Sequence, residues 1–571
     1  MRSLASRFTS INVLTWQRLV AIGGILLVAL FACTPLLLEG AVDGHSIEYN
    51  LVWLKHFSAQ LGTGDLYPRW LMGMNRGAGS PVFFYYAPLP FYLTSLGVGL
   101  FPHLSLNGQL AVGEWLLIAL SGVAFFTYAR RHVTVLTGAI AAAVYMLLPY
   151  HFEVDLWLRQ DLGELTVYIW MPLILRCTEQ IFESQTFNRN AVIGLAVTYA
   201  ALMFSHLPSA LLFSICLGIF VLVLAAQQAS IKGLRQFAAA IALGIALAAV
   251  YWVPALFAQN YIQSDKLWTP YFDFHRWLYP ARSEIGNPFA HRLIELINVT
   301  AILFVLFWLV SFFSADRKAK MRLLGPMILM ATAWFLISPA SLLLWEHAPA
   351  LWKVQFPWRV VVVMDLATAI AAMRALQCWQ QQRDVRNAVL MASVAGLLIY
   401  CGLSADVKST IGPVDNAREV TDHFYAVRDG LDAPEYTTPW SQLTAKDIAA
   451  APVLNDRIEY DHKDGAVGIA EWSPRRISLN VKLTHPTELS VRQFYFPNWK
   501  VFAQGFKVAL KAQPAAHTGL LRIQAPAGHY RLNLAMAPLI QEWIGNAVSG
   551  LAVLGLLLVF VFGRRKVGRA I

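Results

Sequence analysis

Apolar runs of about 20 residues recur along the chain and constrain its fold more than any other feature. A helix of that length crosses a bilayer whose hydrocarbon core is about 30 Å thick. The composition agrees, because 57% of the 571 residues are hydrophobic and 14% are charged. Soluble proteins average about 25% charged residues. The sequence therefore predicts a mainly α-helical, polytopic membrane protein.

Twelve transmembrane helices place the short basic loops on one side of the membrane, as the positive-inside rule requires. The predicted spans cover residues 18–38, 108–128, 133–150, 164–178, 191–205, 207–226, 237–257, 293–313, 323–337, 359–378, 388–403 and 544–562. Arg2 and Arg7 precede the first span, and Arg564 and Arg565 follow the last. Both termini are therefore predicted to be cytoplasmic. These loops also account for the net charge of +11, and no nucleic-acid-binding motif accompanies it.

Residues 82–101 are apolar, but prolines lie at positions 81, 88, 90 and 102. Prolines disfavour an uninterrupted helix, and aromatic residues suit the membrane interface. If this segment crossed the membrane, Arg130 and Arg131 would fall on the outer side. We therefore predict that it lies along the membrane or re-enters, within a first external loop of residues 40–107. A span remains the alternative.

The polar part of the chain forms a second unit. Residues 1–404 are predicted to form the transmembrane domain, residues 405–540 an extracytoplasmic domain, and residues 541–571 the last helix with a basic cytoplasmic tail. Polar and apolar residues alternate over 476–483, 488–496, 500–502, 508–511, 520–524 and 530–535. Short alternating runs separated by Pro and Gly are typical of an antiparallel β-sandwich. The first half of this domain is irregular.

Ionisable and polar residues recur where the predicted external loops meet the helices. Such groups near a membrane are costly unless they are paired or functional. The candidate site residues are Asp43, His45, Arg69, Arg159, Asp161, Glu164, His206, Gln355 and Arg359. Arginine binds phosphate in a two-pronged fork, and an aspartate can take a proton from an attacking hydroxyl.

Each candidate also has an ordinary structural interpretation. Asp43 can cap a juxtamembrane helix, and Arg69 and Arg359 can extend to the interface. Arg159 can pair with its neighbouring carboxylates, and His206 can cap a helix end. No HExxH or CxxC metal motif occurs, and the five cysteines lie outside the large polar segment, which predicts no disulfide framework there.

Several short motifs, taken together in their order, carry a family resemblance. They are Asp43 with His45, Gly64-Asp65-Leu66-Tyr67-Pro68-Arg69-Trp70, Gly77-Ala78-Gly79-Ser80-Pro81, Arg159 with Glu164, Phe356-Pro357-Trp358-Arg359, Glu435-Tyr436 and Tyr495-Phe496-Pro497-Asn498-Trp499-Lys500. The chain resembles membrane glycosyltransferases of the GT-C superfamily. It is more closely similar to the 6-pyruvoyl-tetrahydropterin synthase-related and YfhO-type bacterial membrane proteins. Nothing in it resembles a soluble zinc enzyme.

The resemblance implies sugar transfer from a polyprenyl-phosphate donor to a glycan, lipid or protein acceptor outside the cytoplasmic membrane. By this analogy Asp43 is the catalytic base, Arg159 and Arg359 hold phosphate, and Glu164 orients Arg159 or binds sugar. GT-C loops often carry two adjacent acids, whereas Gly44 follows Asp43. No cofactor is therefore assigned, and a divalent metal stays open. Two alternatives are a transporter of polysaccharide or lipid-linked sugar and a non-catalytic envelope scaffold.

Overall fold

The computed structural model describes most of the chain. The described residues are 2–39, 46–184, 186–284, 286–314, 317–380, 396, 432–444, 447, 457–505 and 510–562. Within them the molecule has a large helical part and a smaller antiparallel β domain near the C-terminus. Asp43, His45 and nearly all of the predicted span 388–403 lie outside the described residues.

The helices follow one another closely along the chain. In the first half they are α1 (Arg2–Glu39), α2 (Ile47–Gly62), α3 (Met74–Gly77), α4 (Val82–Tyr85), α5 (Leu89–Leu100), α6 (Leu106–Ala129), α7 (Val135–Leu147), the π-helix Tyr150–Leu158, α8 (Leu162–Glu183), α9 (Arg189–Ser205), α10 (Leu207–Gln227), α11 (Ile231–Leu247) and α12 (Ala249–Phe257). They continue as α13 (Phe274–Trp277), α14 (Pro288–Ser314), α15 (Arg317–Arg322), α16 (Leu324–Ile337), α17 (Leu342–His347), α18 (Pro349–Trp352), α19 (Val361–Gln380) and α20 (Ile540–Phe562). Short 3₁₀ helices connect several of them, including Pro357–Val360 before α19.

Seven of the described helices are long and apolar enough to cross a membrane, or nine if each of two bent pairs forms one span. The predicted spans 164–178 and 191–205 correspond to α8 and α9, which are helical but fall short of that test. The multi-helix membrane architecture is confirmed. The prediction of twelve spans stays a prediction.

Two predicted elements need correction. The predicted spans 133–150 and 164–178 imply a polar external loop at residues 151–163, but Tyr150–Leu158 is a π-helix bent by 43° from α7. Pro149 precedes it and lacks the N–H that would continue the α-helix. Its side chains are buried against α7, α8, α14 and α19, so this segment is a buried helix and not an exposed polar loop. The predicted single helix 237–257 is likewise broken, because α11 and α12 meet at 67° around Ala248.

Residues 82–101 form two short helices, α4 and α5. Tyr86–Pro88 separates them, and α5 has only 12 residues. A helix of 12 residues is about 18 Å long, which is shorter than the hydrocarbon core of a bilayer. The prolines therefore interrupt this segment as the sequence predicted.

The β domain is one continuous antiparallel sheet of eight strands. The strands are β1 (Ile458–Glu459), β2 (Gly465–Ser473), β3 (Arg476–Leu483), β4 (Thr487–Phe494), β5 (Trp499–Ala503), β6 (Leu510–Pro514), β7 (Leu520–Ala525) and β8 (Gly528–Met536). Their order across the sheet is β1-β4-β7-β6-β5-β8-β3-β2. Alternate side chains such as Leu479, Leu489, Leu521 and Leu532 meet in a single core, so the sheet folds over on itself in a sandwich-like, nearly closed shape.

Residues 46–107, called the first external segment after the predicted external loop 40–107 of which they are the described part, fasten this sheet to the helices. Trp70 and Phe84 join the core of the sheet, and their rings lie 5.5 Å and 5.2 Å from that of Phe496. Arg69 pairs with Glu542 at the start of α20, with Nη1 2.5 Å from Oε1. Arg475 of the sheet pairs with the same carboxylate at 3.0 Å. One buried glutamate thus joins the first external segment, the sheet and the last helix.

Candidate active site

The turn between the π-helix and α8 concentrates charged side chains. Arg159 directly follows the π-helix as its C-cap, and Gln160 takes a left-handed backbone conformation with φ of 50° that reverses the chain. Asp161 then caps α8, since its Oδ1 accepts the backbone N–H of Glu164 at 3.0 Å. An aspartate at this position satisfies an otherwise unpaired N–H of the first turn. Arg159, Asp161 and Glu164 are therefore brought together by local structure.

Arg159 is surrounded by carboxylates. Its Nη1 lies 3.0 Å from Asp155 Oδ1 and 3.0 Å from Glu164 Oε1, and its Nη2 lies 2.5 Å from Asp161 Oδ2. The guanidinium also stacks over the ring of Trp358 at 4.8 Å. All four ionic groups are buried. Burial acts most strongly and disfavours ionisation of Asp161, but the surrounding groups, led by Arg159, together hold the pKa of this carboxyl below its usual value.

Arg359 reaches the same cluster from a distant part of the sequence. It lies in the 3₁₀ helix Pro357–Val360, and its Nε is 3.0 Å from Glu164 Oε1. This pair is close enough for ionic attraction but is not aligned as a hydrogen bond. Its Nη1 donates to the carbonyl of Val354 at 2.8 Å. Arg159 and Arg359 therefore meet at one buried site, with Glu164 between them.

His206 lies beside the cluster at the junction of α9 and α10. Its Nδ1 accepts the backbone N–H of Ser209 at 3.4 Å, so the ring caps α10. Burial and the neighbouring Arg359 lower the pKa of His206 to about 3, which keeps the imidazole neutral. His206 is thus both a helix cap, as its structural interpretation proposed, and a member of the buried site.

Asp161, Glu164 and His206 offer three ligand atoms that lie within 4.8 Å of one another. Carboxylate oxygen and neutral imidazole form a donor set that suits several divalent cations. However, Arg159 and Arg359 lie within 3.0 Å of the same carboxylates. A cation there would repel the two guanidinium groups unless they moved. The residues therefore fit a divalent metal poorly in this arrangement.

The start of α2 is hydrogen-bonded to the turn that carries Arg159. The backbone N–H of Ser46 donates to the Arg159 carbonyl at 2.9 Å. Asn50 Nδ2 donates to the carbonyl of Gln160 at 2.6 Å. Asp43 and His45, which precede Ser46 in the sequence, lie outside the described residues.

Two other predicted site residues have their contacts elsewhere. Arg69 pairs with Glu542 and donates to the carbonyl of Val250 at 2.6 Å. Gln355 has a left-handed φ of 67° and donates to the carbonyl of Leu267 at 3.3 Å. The structure therefore brings Arg159, Asp161, Glu164, His206 and Arg359 together, and places Arg69 at the base of α20.

Sequence analysis missed two members of the cluster. Asp155 lies under Arg159, and the Tyr150 hydroxyl donates to Glu164 Oε2 at 2.8 Å. Both lie in the π-helix, where Tyr150 is the last residue of the predicted span 133–150 and Asp155 lies in the predicted loop after it. The four-residue spacing of Asp155 and Arg159 was an available signal, since it is a helical ion-pair spacing. Asp365, which lies inside the predicted span 359–378, accepts bonds from Tyr168 Oη and the His151 N–H, each at 3.0 Å.

Residues 83–407 match the family model described as "6-pyruvoyl-tetrahydropterin synthase related domain; membrane protein". This match covers more than half of the chain. The chain belongs to this family. The matched part of this 6-pyruvoyl-tetrahydropterin synthase-related (PTPS-related) chain contains the π-helix, α8, Arg359 and the junction of α9 and α10 at His206. Arg69 and the β domain lie outside it.

No curated protein matches this PTPS-related chain. Among solved structures, it is similar to ArnT from Cupriavidus metallidurans bound to undecaprenyl phosphate, with 14% identity, a TM-score of 0.41, and 72% of this chain and 70% of that chain covered. It is also similar to ArnT from the same organism in the apo state, with 12% identity, a TM-score of 0.29, and coverage of 63% and 76%. Likenesses this weak carry no conclusion about activity.

Proposed function

We propose that this membrane protein transfers a sugar from a polyprenyl-phosphate donor to a glycan, lipid or protein acceptor on the extracytoplasmic side of the inner membrane. The observation that carries the proposal is the buried cluster in which Arg159 and Arg359 meet at Glu164. Burying such groups costs several kcal/mol per ion, and groups buried this way cluster at sites of chemistry. The motif resemblance supplies the reaction class.

The reaction is a displacement at the anomeric carbon. The acceptor hydroxyl attacks that carbon, the bond from the carbon to the phosphate oxygen breaks, and the polyprenyl phosphate leaves with the electron pair. Asp43 takes the proton of the attacking hydroxyl as general base. Negative charge grows on the departing phosphate, where guanidinium groups stabilise it.

Asp43 is three residues from Ser46, whose N–H is bonded to the Arg159 carbonyl. The assignment of Asp43 as the base rests on this proximity in sequence and on the motif resemblance.

Arg359 is our first choice for direct contact with phosphate. Arg159 is already held by three carboxylates, whereas the ionic partner of Arg359 is Glu164. Glu164 would position both guanidinium groups, and His45, Arg69, Asp161, His206 and Gln355 remain candidates for substrate contact. We propose that the β domain guides the acceptor.

The test measures sugar transfer from defined polyprenyl-phosphate sugars by the purified protein. Asp43→Asn should lower turnover by about 100-fold or more, which is the usual contribution of a general base. Arg359→Gln should lower it through weaker phosphate stabilisation. Asp265→Asn, at an exposed external position, is the matched control and should keep full turnover. A parallel series with EDTA, followed by added Mg²⁺ or Mn²⁺, tests the metal.

Equal turnover by wild type and Asp43→Asn would remove Asp43 from the mechanism. Absence of turnover with every donor would contradict the transferase proposal. In that case, movement of a fluorescent lipid-linked sugar across liposomes would favour the transporter, and its failure would favour the scaffold.

A further inference from the structure

A cleft separates the first external segment from one edge of the β domain. It has a volume of about 540 Å³. One wall consists of α2 and the turn around α3. The other consists of Arg457 just before β1, Trp472 in β2 and Arg492 in β4. The residues used below are His56, Arg76, Arg457, Trp472 and Arg492, all of which line it. The cleft lies outside the cluster around Glu164.

Positive charge dominates the lining. Arg76, Arg457 and Arg492 line the cleft, and its described lining contains no aspartate or glutamate. Burial lowers the pKa of Arg492, Glu459 acts against this, and the neighbouring Arg76 lowers it further. The cleft thus presents three guanidinium groups, which would attract an anionic ligand.

An aromatic ring lies among these charges. The Arg457 guanidinium is 5.0 Å from the ring centroid of Trp472. Both side chains line the cleft, and Trp472 is only half-buried. An aromatic face packs well against the C–H face of a sugar ring, and arginines bind carboxylate or phosphate. A site that combines a tryptophan with arginines therefore suits a charged sugar better than an anion that has no sugar ring.

The two walls are held at a fixed separation. Gln493 Nε2 donates to the carbonyls of Met72 at 3.2 Å and Gly77 at 2.6 Å. Its Oε1 accepts from Trp70 Nε1 at 2.7 Å. These bonds join the turn to β4, so the cleft is preorganised and ligand binding would order few side chains.

The backbone of the turn is shaped for this cleft. Asn75 and Arg76 have left-handed φ values of 52° and 55°, which is uncommon for residues other than glycine. A Cβ at Gly73 would lie 2.5 Å from His56 Nδ1, so glycine is needed for the histidine to line the cleft.

We propose that this cleft binds an anionic saccharide, a sugar unit bearing carboxylate or phosphate, between the arginines and Trp472. The proposal concerns binding alone and holds whether or not the chain transfers sugar. If it does, this saccharide belongs to the acceptor.

The test is calorimetric titration of the full-length protein in nanodiscs, without any sugar donor. Tetragalacturonate is the anionic probe, maltotetraose the neutral one, and glycerol phosphate a bare anion. Tetragalacturonate should bind at least about tenfold more tightly than either, because charged hydrogen bonds contribute about 1.5–3 kcal/mol each. Its affinity should fall as salt is added.

Arg457→Gln and Arg492→Gln should each weaken tetragalacturonate binding about tenfold. Trp472→Ala should weaken it about fivefold. Arg531→Gln makes the same charge change at an exposed position of β8 away from the cleft and should leave binding unchanged. Arg457 is exposed, so its variant tests the site even if another variant folds poorly.

Equal affinity for tetragalacturonate and maltotetraose would overturn the proposal. So would unchanged binding by the Arg457 and Trp472 variants, or equal loss in Arg531→Gln. Glycerol phosphate binding as tightly as tetragalacturonate would reduce the cleft to a general anion site and would contradict the saccharide assignment.

Discussion

Glu164 is the residue on which both buried arginines depend. Its Oε1 lies 3.0 Å from Arg159 Nη1 and from Arg359 Nε, and its Oε2 accepts from Tyr150. Glu164→Gln removes a charge while keeping the shape of the side chain. Breaking a buried ion pair by removing one partner costs about 3–5 kcal/mol. We expect a lower thermal midpoint in detergent, measured by intrinsic fluorescence.

The matched control for Glu164→Gln is Glu183→Gln. Glu183 also pairs with an arginine, at 2.5 Å from Arg131 Nη2, but its side chain is 56% exposed. An exposed pair contributes about 0–1 kcal/mol. The Glu183 variant should therefore unfold close to the wild-type temperature. Equal destabilisation by the two variants would show that the cluster contributes no more than a surface pair.

Asp432 should make stability depend on pH. Its Oδ1 accepts from Trp53 Nε1 at 2.9 Å and from the Ala433 N–H at 2.9 Å, and its Oδ2 contacts the Ser80 hydroxyl. Burial raises the pKa of Asp432 to about 7 from 3.8. The folded state therefore holds the proton more tightly than the unfolded state, so stability should be greatest below about pH 4 and fall as the pH rises to about 7.

Asp432→Asn should remove this pH dependence. The amide can still accept at Oδ1 and can donate to Ser80 in place of the protonated acid. A shift of this size corresponds to on the order of 4 kcal/mol. Thermal midpoints of the two proteins between pH 5 and pH 8 measure the difference, with Asp265→Asn as an exposed control. Parallel curves for wild type and Asp432→Asn would exclude Asp432 as the source.

Among the elements, strand β3 shows what a sequence pattern can determine. The alternation over 476–483 predicted this strand with its bounds, because Ile477, Leu479, Val481 and Leu483 point into one core. Strand β2 was missed because it lies at the edge of the sheet, contains Gly465 and Gly468, and has no buried alternation. Local pattern therefore identified central strands better than edge strands.

The candidate site was predictable only in part, for a related reason. Placing basic loops on one side of the membrane put Arg159, His206 and Arg359 on the opposite side together. The contribution of Asp155 and Tyr150 depends on the π-helix, whose buried environment is created by α14 and α19 far away in the sequence. A single sequence does not display such long-range packing.

The break between α11 and α12 also has its cause far away in the chain. Ser549 of α20 accepts the N–H of Val250 at 2.8 Å and lies 2.9 Å from the carbonyl of Leu247. It thus satisfies backbone groups that the 67° bend releases from the helix. Close approach of α20 requires Gly545, since a Cβ there would lie 2.6 Å from the Ala249 carbonyl oxygen.

Gly545→Val should therefore separate α20 from the break. Overpacking of this kind costs about 1–3 kcal/mol, and the loss of the Ser549 bonds adds to it. Gly550→Val is the matched control, because nothing lies within 4 Å of a Cβ at that position in the same helix. The yield of monodisperse protein and its thermal midpoint should fall for Gly545→Val alone. Equal behaviour of the two variants would contradict this account of the break.

At the scale of the whole molecule, the first external segment contacts the β domain, the last helix and the turn that carries Arg159. It provides Trp70 and Phe84 to the core of the sheet, Arg69 to the base of α20, and Ser46 to the turn that carries Arg159. The saccharide cleft and the ionic cluster thus share one structural support. A ligand in the cleft and a donor at the cluster would be held by a common frame, which suits transfer between two large substrates.

The proposed transfer requires the β domain and the ionic cluster to face the extracytoplasmic side. The positive-inside rule predicts that orientation from Lys232 and Arg235 at the start of α11 and from the basic termini. Lys463→Cys, exposed on the β domain, should react with a membrane-impermeant maleimide in intact cells. Gln228→Cys, exposed at the end of α10, should react only after the membrane is opened. The wild-type chain with its five cysteines gives the background. The opposite labelling pattern would place the cluster in the cytoplasm, where it could not act on an extracytoplasmic acceptor.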